Sequence, residues 1–253
     1  MKNYNSEDIK KVLKMKGYLY FTDPLKLNII GIRSNPGIVN SFDDIIMISY
    51  TNTDGTEIFL EYPMTTDPGR YYLENPINVD GTGILKEGQY INIYQYSLHH
   101  NEYMALCQRL GPVIVYRDPD RTDTENFGGK TESGMFGINI HHAGIGSTSV
   151  NKWSAGCQVF ENINDFNVLM KLVQLSISKY GNKFTYTLIN EIDFRSLQLP
   201  NPEPTGLDEI KTWGYMILLP LKDNIILKTE NRPVKKTPAG IVYDEQFEKS
   251  DIR

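Results

Sequence analysis

The stretch GINIHHAGIGSTSVNKWSAGCQVF, residues 137–160, gathers two of the chain's four histidines, one of its two cysteines and a group of glycines into twenty-four positions. Phe136-Gly-Ile-Asn-Ile140 alternates apolar with small or polar residues, the period of a strand, and His141 and His142 fall where that strand ends. Gly144, Gly146, Ser147, Thr148 and Ser149 suit a turning loop. A strand ending at the histidine, a return loop and a second strand ending at Cys157 would bring imidazole and thiol side by side. A thiol becomes a strong nucleophile when a nearby histidine or other positive potential favours its thiolate. The small residues of Ser154-Ala-Gly-Cys157 let the backbone bend sharply, so that the amides of Gly156 and Cys157 could point at a developing oxyanion. Two other readings stand beside this one. A histidine pair at a strand end can be plain polar surface and a glycine before a cysteine a plain turn. Two histidines and a cysteine are also plausible zinc ligands, but no fourth ligand lies at a recognisable spacing and His99-His100 would have to come from a distance, so no metal is expected.

Outward from this segment the chain reads as β-rich. Leu27–Ile32, Ile45–Thr51, Glu57–Tyr62, Tyr90–Tyr94 and Val113–Arg117 are short strand-like runs, and Thr53-Asp-Gly55 is a hairpin signal between two of them. Tyr103–Leu110 reads as a helical turn or two, with Cys107 a small core hydrophobe. Residues 118–134 form a long polar loop, an element that is often functional. After the cysteine, Ile163, Phe166, Leu169, Met170, Val173 and Ile177 recur at helical spacing, Gly181 is a stop, and Lys183–Ile189 is another strand. At the other end Ser6–Gly17 has a capping serine, early acids, later lysines and a closing glycine, with Ile9, Val12 and Leu13 as its apolar stripe. The expected organisation is an N-terminal helix and lead-in (1–26), a mainly β domain with packed helices (27–194), a proline-rich linker (195–206) and a C-terminal appendage (207–253).

Composition narrows the function classes. A length of 253 residues at 40% hydrophobic content can bury a full core. A net charge of −5 without a basic stripe argues against a nucleic-acid partner. No apolar run approaches the roughly 20 residues of a spanning helix. The first residues carry positive charge but neither an apolar stretch nor a small-residue cleavage site, so no Sec-type export is expected. Two cysteines in so long a chain do not form a disulfide framework, and a reducing cytoplasmic origin with free thiols fits better.

The elements Ile140-His141-His142 and Ser154-Ala155-Gly156-Cys157 together resemble the signature of the L,D-transpeptidase catalytic domain, cysteine enzymes that act on peptidoglycan, in which a histidine at a strand end is followed after a glycine-containing loop by a Ser-His-Gly-Cys element. Histidine precedes cysteine by sixteen positions; papain-like enzymes reverse that order, and caspase-like enzymes separate the two by far more. Thr65-Thr-Asp-Pro-Gly69 with Tyr71-Tyr-Leu73 is similar to the strand region that precedes the motif in that family, and the resemblance covers residues 27–194. It implies an L,D-transpeptidase-like β-sandwich or barrel, without a cofactor. Cys157 would be the acylated nucleophile, His141 its base, the carbonyl of His142 the holder of the imidazole, and the Gly156 and Cys157 amides the oxyanion hole. The substrates would be peptidoglycan stem peptides, with Ser154, Trp153, Ala155 and Arg117 at the substrate side; packing for Trp153 and a surface ion pair for Arg117 are the competing readings. Ala155 stands where the family has histidine, and Gln158-Val159 replaces an Ile followed by Arg or Asn, which leaves transfer or hydrolysis open. An inactive cell-wall-binding or virion protein that keeps the fold is the alternative. Because peptidoglycan lies outside the cytoplasm, the expectation is carriage in a phage particle or contractile secretion machine, or release by another non-Sec route, and residues 207–253 could dock there.

Overall fold

The computed structural model describes residues 4–198 and, further on, only the strand pairs 216–217 with 227–228 and 234–236 with 242–244. Two compact units divide the chain, Met1–Leu199 and Pro200–Arg253. The proline-rich linker expected over 195–206 lies, from Leu199 on, outside the described residues, as does most of the appendage.

The first unit is mainly β and is built on a closed eight-stranded barrel. Its strands are β1 (Asn28–Arg33), β2 (Asp44–Thr51), β3 (Glu57–Thr65), β5 (Gly88–His99), β6 (Tyr103–Gln108), β9 (Ile140–His142), β10 (Gln158–Phe160) and β11 (Phe184–Asn190). They close in the order β1-β11-β5-β6-β9-β10-β3-β2. A separate sheet of β4 (Thr82–Leu85), β7 (Val113–Asp118) and β8 (Thr131–Gly134) has the order β4-β7-β8. Most pairings are antiparallel; β1 with β11 and β9 with β10 run parallel.

Strand β1 shows how the apolar pattern builds the barrel. Ile29 joins a large core with Ile46, Tyr94, Leu106, Ile140, Phe160 and Tyr186, while its neighbours Ile30 and Ile32 join a second core on the other face. Both faces are covered, so the strand reads as a continuous apolar run. The second core is completed by α1 (Ser6–Met15), which buries Ile9, Val12 and Leu13. Its cap is Asn5, whose side chain accepts from the Asp8 amide, so the capping residue stands one position before the expected Ser6. The short α2 (Arg70–Glu74) comes after β3 and buries Leu73. Helix α3 (Ile163–Tyr180) lays Phe166, Leu169, Met170 and Val173 into the larger core and ends at Gly181, which takes φ +76°. Among the described residues no helix is long and apolar enough to cross a membrane.

Tyr103–Leu110 is not helical. It forms β6, which pairs with β5 from His99↔Tyr103 to Tyr94↔Gln108. Tertiary pairing overrides the helix-forming Met, Ala and Leu, because the turn His99–Glu102 (Glu102 N–H to His99 O, 3.0 Å) reverses the chain with His100 and Asn101 both at positive φ. Cys107 is fully buried in the core, and both cysteines are free thiols.

Candidate active site

The site forms where β9 and β10 lie side by side. In their parallel register Val159 stands opposite His141 and Gln158 opposite Ile140. Side chains alternate along a strand, so His141 and Val159 share one face while Gln158 points the other way, and Cys157 stands just before β10, two residues ahead of Val159. The second strand therefore begins just after the cysteine rather than ending at it. The thiol sits at the mouth of the strand, where the Asn139 amide reaches Sγ at 3.4 Å and Sγ reaches the Gly137 carbonyl at 3.5 Å.

His141 is buried, and its Nδ1 lies 3.0 Å from the His142 carbonyl oxygen. A carbonyl only accepts, so Nδ1 carries the proton and Nε2 keeps its lone pair, the arrangement a general base requires. The His142 side chain turns elsewhere: its Nδ1 bonds the Ala143 carbonyl at 2.7 Å, and its ring packs on Tyr103 and Phe166. Burial, then the neighbouring His99, pushes His141 down to about 3, and burial pushes the Cys157 thiol up to about 11 against the Asn139 N–H, which lowers it. Thiol and imidazole are both neutral near pH 7.

The turn before the cysteine is held by Ser154, whose fully buried hydroxyl donates to the Cys157 carbonyl at 2.8 Å and accepts the Gly156 amide at 3.1 Å. The Gly156 N–H, which the resemblance offered to an oxyanion, is thus engaged by Ser154 in this structure. Gly156 has φ +121°, and a Cβ there would overlap the Gly83 carbonyl, so only glycine fits. Gly69 N–H donates to the Ser154 carbonyl at 2.9 Å, and a Cβ on Gly69 would overlap the Asn151 carbonyl. With Val159↔Thr65 and Phe160↔Met64 in register, this brings the 65–69 segment against the cysteine turn.

Ala155 is partly exposed on the turn, and Trp153 is half exposed, with its ring against Gly144. Arg117 is buried. Its Nε donates to Glu132 at 2.7 Å, Nη1 reaches the Gly81 carbonyl, and the guanidinium lies 4.7 Å from the centre of the Phe136 ring. Those partners occupy the group that the sequence offered to a substrate carboxylate or to a surface ion pair; the ion pair it makes, with Glu132, holds a buried guanidinium.

Several further residues lie near the site, among them His99, which the sequence set at a distance from the His-to-Cys segment. His99 stacks on His141 with ring centroids 4.4 Å apart, Tyr103 Oη lies 3.4 Å from His141 Nδ1, and Asn139 joins His99 at 3.1 Å. The Tyr94 hydroxyl is buried without a hydrogen-bond partner. These residues come from the β5–β6 hairpin and from the residue just before β9, and the pairing of β6 with β9 brings them together. Among the described residues no group of three His, Cys, Asp or Glu side chains could hold a metal.

A second polar cluster surrounds buried Arg33. Its Nε meets Asp67 at 2.8 Å and Nη1 meets Glu87 at 2.9 Å, beside a cavity of about 430 Å³ that Glu125 and Phe127 of the polar loop also line. Gln158 connects it to the cysteine turn, donating to the carbonyls of Thr66 and Gly156 while Tyr186 donates to Gln158 Oε1. Gln158 is thus a buried strut between the two clusters. Comparison with known protein families, with characterised proteins and with solved structures found no match to this chain.

Proposed function

We propose that this protein is a cysteine-dependent acyl transferase or hydrolase of the L,D-transpeptidase kind, acting on peptidoglycan stem peptides. The observation that carries this reading is the parallel β9–β10 register, which sets His141 opposite Val159 and brings the Cys157 sulfur onto the backbone just before β9, with the imidazole held through Nδ1 by the His142 carbonyl. The eight-stranded barrel and the approach of the 65–69 segment to the cysteine turn support it; the choice of substrate rests on the resemblance of the His-to-Cys segment.

In the proposed reaction Sγ attacks the carbonyl carbon of the L-centre of a diamino acid in the stem peptide as its proton passes to His141 Nε2. The tetrahedral oxyanion is met by the Cys157 N–H. Collapse breaks the bond to D-alanine, whose amine leaves with the proton from His141, and a thioester remains on Cys157. An acceptor amine or water then attacks the thioester, losing a proton through His141, and the thiol is restored. Stem-peptide turnover, followed by mass spectrometry of purified muropeptides, should vanish in Cys157→Ala and nearly vanish in His141→Ala; wild-type turnover in Cys157→Ala overturns the reading.

The raised thiol and the engaged Gly156 amide favour one second reading, a wall-binding or virion protein that keeps the fold without turnover. A carbapenem separates the two: stoichiometric acylation at Cys157, with Cys107 silent, belongs to the enzyme alone. Carriage to the wall by a particle or another non-Sec route remains part of the proposal.

A further inference from the structure

His99 ends β5 buried beside the site, and the proposed reaction gives it no role. Its ring lies nearly parallel to that of His141, with 21° between the planes. Asn139 fixes its protonation. The Gln108 backbone N–H donates to Asn139 Oδ1 at 2.9 Å, and because that N–H can only donate, the group turned toward His99 is the Asn139 NH₂. That NH₂ lies 3.1 Å from His99 Nδ1, which must therefore accept. The single proton of His99 then sits on Nε2, and a second proton could be added only by breaking this bond.

The groups facing His99 reinforce the lock. From the β5–β6 hairpin and the residues just after it come His100, Tyr103 and Arg109, and from β9 come His141 and His142. None of these supplies a negative charge, and the carboxylate of the same turn, Glu102, belongs to an exposed residue whose backbone N–H goes to the His99 carbonyl. Burial first, then His100, Arg109 and His142, lowers His99 to about 4.

We propose that Asn139 and His99 are positioning residues that keep a neutral imidazole stacked on His141, so that the positive charge created when the Cys157 thiol gives up its proton has no like-charged neighbour in the stack. The proposal rests on Cys157 and His141 being nucleophile and base. Asn139 serves both partners, since its side chain locks His99 while its backbone N–H reaches the Cys157 sulfur. A cation formed on His141 then meets the π-face of a neutral ring instead of a second cation.

Nitrogen-15 NMR of the histidine-labelled full chain tests the lock without substrate, and the rate of Cys157 alkylation by iodoacetamide against pH tests its consequence. The expected wild-type spectrum shows His99 with an unprotonated Nδ1 and no titration near pH 6.5. Asn139→Ala keeps the backbone N–H and removes the lock; His99 should then titrate near the ordinary histidine value, and below it alkylation should slow about tenfold relative to wild type. Adding His99→Phe to Asn139→Ala keeps a stacked ring that cannot charge and should restore the wild-type pH profile. A wild-type His99 protonated on Nδ1 or titrating near pH 6.5 overturns the proposal even if Asn139→Ala does not fold, as does a folded Asn139→Ala with an unmoved profile. The acyl-transfer reading fails separately, on unchanged muropeptides with the NMR result intact.

Discussion

At Gly156 a side chain has nowhere to go, because the residue combines φ +121° with the Gly83 carbonyl at the place of its missing Cβ. Gly156→Ala should destabilise the fold by about 3 kcal/mol, read from urea unfolding, and should displace the thiol beside it. His141 leaves a mark on acid stability. Its folded value near 3 is below that of the unfolded chain, near 6.5, so the unfolded state takes up the proton first. The stability His141 contributes is complete above about pH 6.5 and is lost as pH falls toward 3. The difference in unfolding free energy between wild type and His141→Asn should therefore shrink by a few kcal/mol over that range; a difference constant with pH would contradict the burial of a neutral imidazole. That the segments carrying His141 and Cys157 meet was legible from their residue types and spacing. The places of His99, Asn139 and Tyr94 were not, since hydrogen bonds and ring contacts between β5 and β9 carry no local sequence pattern.

Among the elements, the polar loop 119–130 folds over the Arg33 cavity, carrying Glu125 with one buried carboxyl oxygen that has no partner. Burial, then Asp67, raises Glu125 to about 9, while Arg33 opposes. The folded chain thus keeps this proton after the unfolded chain has released it near pH 4.5, and stability falls as pH rises from about 4.5 to 9. Glu125→Gln removes that loss, so its advantage over wild type in urea unfolding should grow with pH across the same window; no growth would mean that the carboxyl is solvated. The strands β1, β2, β3, β7 and β11 and the helices α1 and α3 were readable because each carries its own periodicity or turn signal, as with Gly55 at φ +88° between β2 and β3. Strand β6 was misread as helix, since its residues suit either state and the pairing with β5 decides between them. Arg33, Asp67 and Glu87, scattered on β1, the turn after β3 and the residue before β5, give no sign in sequence that they converge.

For the molecule as a whole, mixed parallel and antiparallel pairing closes the barrel, and no linear pattern reveals which strands become neighbours. The adjacency of β9 and β10 nevertheless could be read from one short segment, because its loop is rich in glycine and serine and joins two apolar runs. The unit Met1–Leu199 contains both apolar cores. Residues 1–199 produced alone should unfold cooperatively with a midpoint within a few degrees of the full chain by calorimetry; a broad, non-cooperative melt would show that the barrel depends on residues 200–253. The central claim is the chemistry that this barrel assembles at Cys157, and intact-mass analysis of the full chain after incubation with purified muropeptides reads that chemistry directly. The expected result is an adduct of the stem peptide less D-alanine, mapped to Cys157, absent in Cys157→Ala and slow to form in His141→Ala. An unmodified wild-type chain in the presence of consumed muropeptide, or the same adduct on Cys157→Ala, would contradict it.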